Sequence, residues 1–90
     1  MADEYAGIPE ATMGALERYV EHGIPTGSFL RAVLKNDLFD AIGRADIGNQ
    51  HAIHAICMYI YNKIPGVAWG DEERVDAWIA AKGKEQYKSK

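Results

Sequence analysis

The chain is predicted to be all-α: a small helical bundle with two longer antiparallel helices and short helices flanking them. Three observations carry this. Apolar residues recur at intervals of three and four along most of the sequence, and no stretch alternates as a strand would. Glycine and proline fall between these periodic stretches, where they end one helix and admit the next. Ninety residues, 48% hydrophobic and 26% charged, suit one globular domain with a single core.

The first helix is bounded by Pro9, which suits a first turn, and Gly23, which suits the residue just past the end. Between them Met13, Leu16, Tyr19 and Val20 share one face and should point to the core. Glu10 in its first turn and His22 in its last agree with the helix dipole, and Gly14 marks a close helix contact. A second helix begins after Pro25 with Thr26 or Ser28 as its cap, and Phe29, Leu30, Val33 and Leu34 form its apolar face. Asn36-Asp37 then offers either a kink or a new cap. Leu38, Phe39, Ala41 and Ile42 carry the apolar pattern to Gly43, so residues 27–45 read equally as one bent helix or two.

The longest helix opens at Asp46 or Asn49 and runs to about Lys63. Ile53, Ile56, Cys57, Ile60 and Ile64 give it the strongest periodic signal in the chain, and Pro65-Gly66 ends it. A loop through Trp69 leads to a last short helix whose start, Gly70-Asp71-Glu72-Glu73, has the acidic first turn the dipole favours. Val75, Trp78 and Ile79 give that helix one sticky face. Residues 1–81 are thus expected to form a single helical domain, with 82–90 a basic, frayed tail.

Composition narrows the function. The net charge is -3, but four of the ten basic residues lie in 82–90, which leaves six basic against twelve acidic residues in 1–81. A body of that sign repels duplex DNA or RNA, whose binding requires many neutralised phosphates. The helix, turn, helix pattern over 10–35 resembles a DNA-reading motif only in outline, because its second helix offers little beyond Arg31, Lys35 and Asn36 to read bases. No apolar run approaches the roughly 20 residues that span a bilayer, and the acidic first residues do not suit a secretory signal. A lone cysteine demands no oxidising compartment, so a cytoplasmic location is expected.

Chemistry-bearing clusters are sparse. His51, His54 and Met58 share a face, with Cys57 three residues after His54, yet Cys57 falls on the apolar stripe and no second CxxC or HxxxH cluster completes a metal site. Cys57 has His54 one turn away, but no oxyanion-hole signature accompanies them, and a buried structural cysteine on the apolar stripe is the plainer reading. Glu17 and Glu21 are spaced like a solvated helix face. No catalytic residue, metal or cofactor is therefore assigned. What remains is the start of the second helix: Arg18 and His22 lie one turn apart and lead directly to Thr26, Gly27 and Ser28. Their cations, hydroxyls and amides would suit a phosphate if they converged, although capping alone also explains Thr26. Tyr5 could stack a base, and Lys63 could add charge if its helix end folds nearby.

The run GIPTGSFLRAVLKNDLFDAIGRADIGN over 23–49, followed by YNKIP over 61–65, WG at 69–70 and the segment Val75-Asp76-Ala77-Trp78-Ile79, resembles a widespread family of small helical phage proteins. It is similar in particular to the anti-CBASS cyclic-oligonucleotide sponges, over about residues 8–80. The resemblance implies a protein that binds cyclic di- and trinucleotide second messengers in the cytoplasm of an infected bacterium and withholds them without cleavage. It also implies a homo-oligomer, a hexamer, with pockets between subunits. Arg18, His22, Thr26, Lys63 and Tyr5 are the ligand-binding residues chosen on chemistry and expected proximity. A phage protein that inhibits a host protein by direct helical contact is the other reading, with Trp69, Trp78 or Tyr59 as anchors.

Overall fold

A computed structural model of the protein describes residues 5–84. These form five α-helices, with no strand among the described residues: α1 (Glu10–His22), α2 (Ser28–Leu34), α3 (Leu38–Arg44), α4 (Ile47–Lys63) and α5 (Glu72–Ala80). A single 3-10 turn, Gly66–Ala68, lies between α4 and α5. No described helix is long and apolar enough to cross a membrane.

Local chemistry sets each boundary. Pro9 precedes α1, and Gly23 closes it in the left-handed conformation (φ 66°), its N–H donating to the Tyr19 carbonyl at 2.9 Å. Residues 27–45 make two helices. Asn36 takes a left-handed φ of 66°, which stops α2, and the Asp37 carboxylate accepts from the Asp40 N–H to begin α3. Asp46 caps α4 by accepting from the Asn49 N–H at 2.8 Å, and Asp71 caps α5 in the same way on Arg74. The start of α2 departs from expectation. Extended Gly27 occupies the cap position, where no side chain can bond the open amides; Thr26 instead donates its hydroxyl to the Gly27 carbonyl, and Ser28 is already helical.

The core gathers Leu16 and Tyr19 of α1, Leu34 of α2, Ile56 of α4 and Val75 of α5, all fully buried. Two hydrogen bonds tie its centre together. The Tyr19 hydroxyl donates to the Ala68 carbonyl at 2.6 Å, and the Trp78 indole N–H donates to the Tyr19 carbonyl at 2.9 Å. Trp78 is therefore a core residue and no interface anchor. On the surface, Arg31 of α2 bonds Asp76 of α5 at 2.7 Å and lies 3.7 Å from Glu72.

The two longer helices are α1 and α4, of 13 and 17 residues. Their contacts pair beginning with beginning and end with end: Thr12 bonds Asn49, while Glu17 and Glu21 face Tyr59 and Lys63 across one cleft. That order runs in the same sense, not the antiparallel one expected. Three further expectations are corrected. Cys57 is exposed, because the buried stripe of α4 runs through Ala52, Ile56 and Ile60, one position away from it. In α3 only Ala41 is buried, and Leu38, Phe39 and Ile42 face outward, Phe39 with 87% of its surface exposed. The expected tail does not begin at Lys82. The Gly83 N–H donates to the Trp78 carbonyl and the Lys84 N–H to the Val20 carbonyl, both at 3.0 Å, which docks this segment on α1; Lys88 and Lys90 lie outside the described residues.

Candidate functional site

The short lead into α1 lays Tyr5 against the last turns of α4. Its ring meets that of Tyr59 edge to face, 5.3 Å between centroids at 87°. The side-chain amide of Asn62 reaches the Tyr5 hydroxyl at 3.4 Å. One residue on, the Lys63 ammonium lies 6.0 Å from the Tyr5 ring centroid, at the outer limit of a cation–π contact, and it forms no ion pair among the described residues. Helical spacing explains the grouping. Tyr59, Asn62 and Lys63 stand three and four positions apart, so α4 presents them together.

Beside this cluster lies a cleft of about 420 Å³ between α1 and α4, walled by Glu17, Val20, Glu21, Tyr59, Lys63 and Lys84. Its formal charges balance, two lysines against two glutamates, and Lys84 is engaged with Glu21 at 3.7 Å. Lys63 is the cation left to a ligand. The Tyr59 hydroxyl is held above the ordinary tyrosine pKa, first by burial and then by the nearby Glu17 charge, so it remains a neutral donor.

Of the five residues chosen from sequence, Tyr5 and Lys63 come together. Arg18 is exposed, with its guanidinium turned back along α1 toward Gly14, where an added Cβ would lie 3.2 Å from its Nη1. His22 is exposed at the last position of α1, and Thr26 is half-buried ahead of α2. Among the described residues, no hydrogen bond, ion pair or ring contact joins Arg18 or Thr26 to Tyr5 or Lys63. Tyr59 and Asn62 complete the cluster and were not singled out as ligands, although their spacing from Lys63 is the signal that finds them.

A second cleft, of about 320 Å³, opens where α2 starts. Thr12, Ser28, Arg44, Asp46 and Asn49 line it beside apolar wall from Ala15 and Leu30. A third, of about 270 Å³, has a mainly apolar lining that includes Val33, Cys57, Met58, Tyr61 and Trp69. Although the residue is exposed overall, partial burial of the Cys57 thiol pushes it above its usual pKa, which disfavours the thiolate. Among the described residues no group of three or more His, Cys, Asp or Glu stands together to hold a metal. No protein-family model, curated protein or solved structure matches this chain.

Proposed function

We propose that the chain binds cyclic di- and trinucleotides in the cytoplasm of an infected bacterium and withholds them without cleaving them, as the phage anti-CBASS sponges that its 23–49 run resembles do. The observation that carries this reading is the Tyr5–Tyr59 pair beside a cleft of about 420 Å³ lined by Tyr59 and Lys63, with the Lys63 ammonium 6.0 Å from the Tyr5 ring centroid and in no ion pair among the described residues. Aromatic faces hold bases of any identity by stacking, and an ammonium meets a phosphate by a charge-assisted hydrogen bond. The acidic body opposes an anion, so capture depends on this local arrangement.

The test is a thermal-shift panel of cyclic di- and trinucleotides, with the bound nucleotide recovered by heating. A ligand present at a hundredfold its Kd adds about 2.7 kcal/mol, which for a domain of this size raises Tm by more than about 10 °C. Tyr5→Ala and Lys63→Ala should each reduce the shift, and the nucleotide should be recovered intact. No shift with any member refutes the reading, and conversion of the nucleotide would mean an enzyme.

The exposed α3 face favours self-association and also sustains the second reading. Leu38, Phe39 and Ile42, with Ile47 just beyond, leave 46–87% of their surfaces open, a group of exposed apolar side chains on one short segment. The sponge reading assigns this face to other copies of the chain, in a hexamer. The alternative assigns it to a host protein that is inhibited by contact. Mass in solution separates them: an oligomer that Phe39→Glu dissociates supports the first, and a monomer at all concentrations supports the second.

A further inference from the structure

The cleft at the start of α2 contains a donor that the fold does not use. Asn49 is nine-tenths buried and lines the cleft. Its Oδ1 accepts from the Thr12 hydroxyl at 2.7 Å, and its backbone N–H is taken by Asp46. The first of these bonds turns the carboxamide oxygen toward Thr12 and leaves the NH2 for the cleft, where it has no partner among the described residues. No enclosed side-chain nitrogen or oxygen lacks a partner among the described residues, so this NH2 is open to the solvent of the cleft and can be reached by a ligand that enters it.

Donors also prevail around it. Arg44 spends its Nε on Asp40 at 2.8 Å, and its two terminal nitrogens bond nothing among the described residues. The Ser28 hydroxyl is exposed on the same cleft and has no described partner either. The only charged acceptor on the lining, Asp46, already has one oxygen on Asn49. The part of the seven-residue α2 is to hold Ser28 at the rim.

We infer that this cleft binds the phosphoryl group of a phosphate ester, through the Asn49 amide, the Ser28 hydroxyl and the terminal nitrogens of Arg44. The three donors come from three separate segments: the start of α2, the end of α3 and the first turn of α4. Such a spread suits a tetrahedral oxyanion, with an oxygen for each, better than a flat carboxylate with two. A cleft of about 320 Å³ exceeds a bare ion, and Ala15 and Leu30 supply apolar wall for the organic part of an ester. The site shares no lining residue with the cleft beside Tyr5, so it does not depend on the nucleotide reading.

The test is an NMR titration of the 15N-labelled chain at constant ionic strength, first with phenyl phosphate and then with a cyclic dinucleotide. Phenyl phosphate should shift the Asn49 side-chain NH2 and the Ser28 amide saturably. Arg44→Gln and Ser28→Ala, both at exposed positions, should each weaken binding by about tenfold. Asn49→Asp should abolish it, since the new carboxylate still accepts from Thr12 but repels the phosphate; an unchanged spectrum elsewhere shows that the fold is intact. Shifts that never saturate, or equal affinity in Arg44→Gln and Ser28→Ala, would overturn the assignment. If the cyclic dinucleotide moves the same signals, its phosphodiester is a source of the group. If it moves nothing while phenyl phosphate still titrates Asn49, the nucleotide reading fails and this site stands.

Discussion

Replacing Tyr19 by phenylalanine removes one hydroxyl from the centre of the molecule. Tyr19 has no exposed surface, and its hydroxyl bonds the carbonyl of Ala68, which is equally enclosed. Phenylalanine fills the same space, so the loss is one hydrogen bond together with a buried carbonyl left unpaired, about 1–3 kcal/mol at neutral pH. The penalty should also depend on pH. Burial pushes the Tyr19 hydroxyl far above its ordinary value of 10.0; the nearby Arg31 charge opposes this in part and Asp76 adds to it. The native state keeps this proton while the unfolded chain begins to release it near pH 10. Its contribution is therefore complete below that pH and declines by about 1.4 kcal/mol per unit as the pH rises toward the folded value. The remaining residues are common to the two proteins, so the difference between them isolates the Tyr19 hydroxyl. Urea melts of wild type and Tyr19→Phe at pH 8 and pH 11 should show the gap shrinking by about 1.4 kcal/mol. Equal stability at pH 8, or a gap that does not change with pH, refutes the reasoning.

Gly23→Ala should be more costly than a surface change. Its φ is 66°, and a Cβ there would stand 2.7 Å from the Gly83 nitrogen, so a loss above about 2 kcal/mol is expected in a thermal melt. Alkylation of Cys57 by iodoacetamide should have a pH midpoint above the ordinary thiol value of about 8.5, because desolvation opposes the thiolate; a midpoint at or below that value contradicts the environment described. Asp76→Asn should cost no more than about 1 kcal/mol in a urea melt, since the pair it forms with Arg31 is partly exposed, and added salt should shrink the difference.

Helix boundaries were legible where one residue decides them. Pro9 and Gly23 act on their own backbone, and the capping carboxylates of Asp37, Asp46 and Asp71 reach only three residues along. Burial was harder, because periodicity marks a face without saying what covers it. The α3 pattern looked like core, yet only Ala41 found a neighbour to bury it. In α4 the residues Ile53 and Cys57 run parallel to the buried Ala52, Ile56 and Ile60, and the choice between the two stripes belongs to the packing. Lys63 and Tyr5 were chosen for their chemistry, and their meeting depends on where the lead into α1 falls. Nothing local distinguishes Thr12 from a surface threonine. Its burial is set by Asn49, 37 residues away.

Gly23 and Gly83 are packed backbone to backbone, and Lys84 bonds Val20. This clasp has a consequence for how the chain reaches its fold. The end of α1 is finished by a segment some sixty residues downstream, so a ribosome must deliver almost the whole domain before its first helix is sealed. Each helix can form early from local signals. The closure that locks them together is a long-range event, and long-range closures set the pace of folding in small proteins. A nascent chain halted at Ala80 would therefore carry all five helices without the clasp, and it would offer the open end of α1 to any chaperone or protease that met it first.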